Sequence, residues 1–195
     1  MLSRPLPDSP KITLHKTSDG YEIRDNEKNM KMSLSFDDYS KIILDKKRHQ
    51  LNKVFKAKNL SILDCTGGFA RDAAILASLG NNVTLIERNP LIISLLVNAS
   101  QKIKIDDIQY IFSRIKIRFG NCIDFIKNTN QHFDYMYFDF MFNINKSALP
   151  SKNEQFLRKI VKNDINENLD IIHETIQRVR SKIIIKEHIS SNDYD

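Results

Sequence analysis

Three short segments bring together residue types suited to chemistry. The first is Asp64-Cys65-Thr66-Gly67-Gly68-Phe69-Ala70-Arg71-Asp72. Adjacent glycines let a backbone turn tightly and approach a ligand closely. A helix starting after them offers unpaired N–H groups at its N-terminus. The segment is neither a P-loop nor a full G-x-G-x-x-G, which argues against an NTPase or a dinucleotide enzyme. The second segment is Glu87-Arg88. An acid about 20 residues beyond such glycines is placed to accept hydrogen bonds from ribose hydroxyls. Alone, either segment also fits a plain loop. Together they point to a ribose-bearing cofactor held without a pyrophosphate cradle, a description that S-adenosylmethionine fits. The third segment is Asp139-Phe140-Met141-Phe142. An acid followed by aromatics can bind an exocyclic amine and stack on a flat base. The same pattern fits Phe138 and Phe140 packing in a core.

The elements that must carry these segments alternate. Ser61 to Asp64, Val83 to Glu87, Ile115 to Phe119, Phe133 to Phe138 and Lys182 to Lys186 read as strands. Ala70 to Leu79 reads as a helix ended by Gly80, and Asn89-Pro90 as N-cap and first residue of a helix running to about Lys104. Asp124 to Lys127 lies in a short helix, and helical patterns span Glu154 to Val161 and Ile165 to Val179. Such alternation predicts an α/β fold: a parallel sheet with helices on both faces, whose ligands sit at the carboxyl ends of the strands. All three segments fall at such ends.

Before this region, Ile12 to His15 and Tyr21 to Arg24 alternate with a strand's period around the turn Ser18-Asp19-Gly20. Met30 to Phe36 adds a possible third strand, and Asp37 to Lys58 is predicted as one amphipathic helix with a basic outer face. The expected organisation is a β-appendage over 1–36 and a main domain over 37–195.

Composition narrows the function classes. The 195 residues are 41% hydrophobic and 28% charged, which excludes a fibrous or disordered chain. The net charge of +6 is compatible with a nucleic-acid partner. Twenty lysines to ten arginines, among many Ile and Asn residues, fit A/T-rich coding equally well. The longest apolar run, Leu91 to Val97, is interrupted by Ser94 and is too short to span a bilayer. Met1 to Pro5 has no apolar stretch of a secretory signal, so a cytoplasmic location is expected. Cys65 and Cys122 have no metal-type spacing and the five histidines are scattered, so neither a disulfide nor a metal is expected.

The residues Leu63 to Ala73, Leu76 to Gly80, Glu87 to Pro90, Phe138 to Phe142, Lys146 to Leu149 and Ile183 to Lys186 carry a resemblance. The chain resembles the class I S-adenosylmethionine-dependent methyltransferases, and more narrowly the ribosomal RNA small subunit methyltransferase J family. That resemblance implies a Rossmann-like sheet and methylation of a guanine N2 in 16S rRNA, free or in the small subunit. It places cofactor contacts at Arg71, Asp72, Glu87, Arg88, Asn121, Cys122 and Asp139, beside the loop glycines Gly67 and Gly68. Asp64 would orient that loop or meet the methionine end through water. Asp139 would receive the target amine and Phe142 would stack on the base. Cys122 is read as a small buried hydrophobe, because the Pro-Cys pair of cytosine-C5 methylation is absent. The family usually has a glycine where Ala70 stands and prolines where Phe140 and Asn143 stand, and it continues past the fifth strand into a terminal hairpin. Alternatives are a non-catalytic cofactor- or RNA-binding remnant and a methyltransferase for adenine N6 or protein.

Overall fold

A computed structural model describes residues 12–140 and 171–186. The N-terminal sheet is antiparallel, with β1 (Ile12–Thr17), β2 (Gly20–Asp25) and β3 (Met30–Met32) in that order. The third strand is shorter than the periodicity to Phe36 predicts. Its buried residues Ile12, Ile23 and Met32 join one continuous apolar cluster with the helices of the main sheet.

The span 37–58 is not one helix. It breaks into a 3-10 turn at Asp37–Tyr39, α1 (Ser40–Leu44), a second 3-10 turn at Asp45–Arg48 and α2 (Gln50–Val54). His49 is extended at the break and caps α2, its Nδ1 accepting from Leu51 N at 3.3 Å. The cause is visible in the apolar spacing. Ile43 and Leu51 are buried, and the charged run between them has no apolar anchor. Helices in proteins persist chiefly where one face packs on a core.

The main sheet contains β4 (Ser61–Asp64), β5 (Asn82–Glu87), β6 (Ile115–Phe119), β7 (Phe133–Phe138) and β8 (Val179–Ile185). Its order is β6-β5-β4-β7-β8, and all pairings are parallel. This is the expected architecture. β8 starts three residues earlier than the apolar run suggests, following a helical turn at 171–175 and a 3-10 turn at Ile176–Arg178.

The connecting helices are α3 (Arg71–Ser78), α4 (Pro90–Ser100), α5 (Asp106–Phe112) and α6 (Cys122–Asn128). Asn89 caps α4 through Oδ1, accepting from Leu91 N at 2.9 Å and Ile92 N at 3.4 Å. α4 ends at Ser100, short of the expected Lys104, and α5 is an additional helix. Its signal was present: Asp106 and Asp107 favour the positive N-terminal end, and Ile108, Ile111 and Phe112 share one buried face.

Side chains alternate between two cores across the sheet. Ile62, Val83, Leu85 and Tyr137 face the helices α3 to α5, whereas Leu63, Ile86, Met136 and Phe138 face α6 and Ile171. Burial on both faces explains why these strands read as nearly continuous apolar runs.

Candidate active site

The switch in strand order lies at β4, between β5 and β7, and the three candidate segments meet at the carboxyl ends of these strands. Such a point is where open α/β sheets bind ligands.

The loop after β4 presses against the end of β5. Gly67 N donates to the Ile86 carbonyl at 3.0 Å. A Cβ on Gly67 would lie 2.5 Å from Leu85 Cδ2 and 2.8 Å from that carbonyl, so no larger residue fits. Gly68 is left-handed at φ +51°, and its N–H donates to Glu87 Oε2 at 2.8 Å. Asn89 N donates to Glu87 Oε1 at 2.6 Å. Glu87 is thus a buried carboxylate fixed by backbone amides from both sides. Burial pushes its pKa up, while the Asn89 and Gly68 amides oppose the rise. Ala70 also lies in the left-handed region, at φ +63°. Its N–H closes the loop onto the Gly67 carbonyl at 2.9 Å.

Asp64 ends β4 and is buried. Its Oδ1 accepts from Thr66 N at 3.1 Å, and burial pushes its pKa up to about 7, with Asp72, Asp139 and Glu87 adding to the rise. Thr66 turns its hydroxyl toward β7, where Oγ1 accepts from Asp139 N at 2.7 Å. The loop after β4 is therefore bonded to the strand on either side.

At the end of β7, four titratable groups form one cluster. Lys186 Nζ donates to Asp139 Oδ2 at 2.6 Å and to Asp72 Oδ2 at 2.8 Å. The Tyr137 hydroxyl donates to the same Asp72 oxygen at 2.6 Å. Burial would raise the Asp72 pKa, but Lys186 and the Tyr137 hydroxyl outweigh it and hold the carboxyl below its ordinary value. Burial alone would lower the Lys186 pKa, but Asp72 and Asp139 outweigh it and hold it above its ordinary value, whereas burial and the neighbouring Asp72 both push the Tyr137 hydroxyl up.

The remaining candidates fall around this core. Arg71 is exposed at the first turn of α3, and Arg88 is exposed after β5. Asn121 caps α6 by accepting from Ile123 N at 2.8 Å. Cys122 is buried in the same apolar cluster as Cys65, Ile86 and Phe138, and both thiols are reduced. Phe140 is buried against Phe138, with ring centroids 5.1 Å apart, so it packs in the core. Phe142 lies outside the described residues. Sequence reasoning missed Thr66, Tyr137 and Lys186 as parts of the site. Lys186 was within reach, because it directly follows β8, the position at which the other strands carry their chemistry.

The donor set fits S-adenosylmethionine. Asp64, Asp72, Glu87 and Asp139 gather at the carboxyl end of the central strands, where a cofactor bearing sulfonium and ammonium charges is favoured. A dinucleotide pyrophosphate would meet those carboxylates with like charge.

The comparisons with known proteins agree with that chemistry. A relative from Legionella pneumophila (strain Lens), named ribosomal RNA small subunit methyltransferase J, is 32% identical over 163 residues. The match covers 79% of this chain and 66% of that protein, so the chain spans just under two thirds of the relative's length. A protein of the same name from Ectopseudomonas mendocina is 41% identical over 108 residues, covering 54% of this chain and 42% of its own. Among solved structures, a SAM-dependent methyltransferase from Neisseria gonorrhoeae superposes with a TM-score of 0.68 at 20% identity, over 96% of this chain and 77% of that one. The glycopeptide N-methyltransferase MtfA complexed with sinefungin superposes with a TM-score of 0.54 at 12% identity, over 76% of this chain and 55% of its own. Both likenesses concern the fold. The SAM_MT family of SAM-dependent methyltransferases matches residues 5–192, nearly the whole chain, and the protein belongs to that family.

Proposed function

We propose that this protein methylates the exocyclic N2 amine of a guanine in 16S rRNA. The observation that carries the reading is the placement of Asp139. Its carboxylate stands at the strand end next to the loop that fixes Glu87, and the Lys186 ammonium holds it there. The names of the relatives support ribosomal RNA of the small subunit as substrate. The resemblance carried by Phe138 to Phe142 supports the guanine amine. The reaction belongs in the cytoplasm, where ribosomes are assembled.

The cofactor supplies an electrophilic methyl group. Glu87 holds its ribose, and the backbone of Gly67 and Gly68, with Arg71, Asp72, Arg88, Asn121 and Cys122 around it, shapes the pocket. Asp64 steadies the loop or meets the methionine end. Asp139 and the Phe140 carbonyl accept hydrogen bonds from the amine. A guanine amine is a weak nucleophile because its lone pair is delocalised, and acceptors on its hydrogens favour the tetrahedral nitrogen of the transition state. The larger contribution is orientation, which needs no covalent nucleophile. Phe142 stacks on the base. The guanine must leave its stack to enter such a pocket. The test is mass-spectrometric mapping of N2-methylguanine in 16S rRNA from cells with and without the gene. Loss of one such site without the gene is expected. An unchanged map, with cofactor binding intact in the purified protein, would instead support the non-catalytic remnant.

A further inference from the structure

Lys186 belongs to no recognised cofactor contact, yet the amine half of the site is organised about it. We propose that Lys186 is a positioning residue for methyl transfer, its ammonium fixing the Asp139 carboxylate where the target amine is received. This role rests on Asp139 being the acceptor for that amine.

The sheet register places the lysine. Phe138 pairs with Ile185, and Lys186 N donates to the Phe138 carbonyl at 2.8 Å. The next residues on each strand, Asp139 and Lys186, are therefore neighbours. Side chains alternate along a strand, so Lys186 shares a face with Ile184, and Asp139 shares one with Tyr137. Ile184 and Tyr137 both pack on the α3 side. Asp72, in the first turn of α3, closes that side and accepts from both Lys186 and Tyr137.

An ammonium has three donors. Two are committed here, at 2.6 and 2.8 Å, which are distances of charge-assisted bonds. Without the lysine, Asp72 and Asp139 would face each other, with Asp64 close by, and like charges so near repel. His49 and Arg71 lie close to Asp72 as well, but they come from the loop before α2 and from the exposed start of α3. Lys186 approaches from the sheet itself, through the ladder that carries Asp139. A carboxylate anchored in that way keeps one orientation, and misplacing a reacting group by about 1 Å lowers the rate by roughly 10²-fold.

The test is a double-mutant cycle in the full chain. Lys186→Met, Asp139→Asn and the double variant are assayed for kcat and KM on 16S rRNA. Affinity for S-adenosylhomocysteine is measured by calorimetry and folding by thermal melting. Lys186→Met should lower kcat about 10²-fold with KM for RNA and S-adenosylhomocysteine affinity within about threefold of the parent. The double variant should be no slower than the slower single variant, because residues acting as a unit are non-additive. Lys186→Arg should recover part of the lost kcat. If Lys186→Met melts below the assay temperature, Lys186→Gln takes its place in the cycle. Parental kcat in the neutral variants would overturn the proposal while leaving the function intact. Losses that multiply in the double variant would overturn it too, since lysine and aspartate would then act separately. Full activity of Asp139→Asn would remove the acceptor role and this one with it. A parent protein that methylates no rRNA would overturn the function itself.

Discussion

Glu87 and Asp139 are both carboxylates at strand ends, and the protein holds them by different physics. Glu87 is gripped by neutral donors, the N–H groups of Gly68 and Asn89. Asp139 is gripped by a full charge on Lys186. Amide dipoles orient a buried acid without cancelling its desolvation, and the Glu87 pKa stays raised. A cation cancels more of it, and Asp72, which shares Lys186, is held low. The dipole-held acid suits a neutral sugar. The cation-held pair suits a place where charge develops during reaction.

The contrast fails first at Asp139 if it is wrong. Asp139→Asn keeps the shape but loses the charge, and kcat on 16S rRNA should fall roughly 10²-fold, the scale of losing one preorganised transition-state contact. Cofactor affinity measured by calorimetry should change much less. A large loss of affinity with kcat unchanged would invert the two halves.

At Glu87 the expected loss is in binding. Hydrogen bonds to a charged group contribute about 1.5–3 kcal/mol, so Glu87→Ala should weaken S-adenosylmethionine roughly 10- to 100-fold by calorimetry. Unchanged affinity would remove the ribose role.

Asp64 sharpens the comparison through pH. Its pKa is pushed up to about 7, so it is largely protonated below that pH when no cofactor is bound. A cationic cofactor favours the ionised form and lowers that pKa, so binding below pH 7 releases a proton. Affinity should therefore rise with pH toward 7, by at most about tenfold per unit, and level off above it. Calorimetry in buffers of different ionisation enthalpy measures the proton release. Asp64→Asn should remove the part due to this residue, leaving any part from Glu87, which is also raised. The folding sign follows. The raised acid favours the fold fully below its unfolded pKa, and that contribution is lost as pH rises to about 7.

The smallest effect is expected at Ala70. A left-handed alanine costs roughly 1–2 kcal/mol. Ala70→Gly relieves it, but gives up about 0.8 kcal/mol for a buried methyl and about 0.4–1 kcal/mol of chain entropy. These nearly cancel, so the melting temperature should move by only a few degrees. Unchanged cofactor affinity would show that the loop tolerates the alanine it carries.

The two halves also differed in legibility. Glu87, Gly67 and Gly68 lie within one β-α-β stretch, where local spacing dictates geometry. Asp139, Asp72 and Lys186 come from separate elements, and the lysine lies 114 residues from Asp72. No local pattern encodes such a meeting. It exists only once the strand order is known. The central strands β4, β5 and β7 were legible because burial on both faces leaves nearly unbroken apolar runs. The stretch 37–58 was misread because its apolar residues fit a helical period on either side of a charged gap that no helix bridges.

The strand order also sets a timetable for folding. β4, β5 and β6 are neighbours in the sheet and follow one another in the chain, linked by α3, α4 and α5. They can dock as soon as residues up to Phe119 are free of the translating ribosome. β7 must return past them to pair with β4, and among the described strands β8 pairs with β7 alone. Contacts that close long loops form slowly. A nascent chain thus completes the glycine loop and Glu87 well before Lys186 is synthesised. On the roles proposed above, the half assigned to the cofactor matures first, and the half assigned to the amine is assembled when β8 docks.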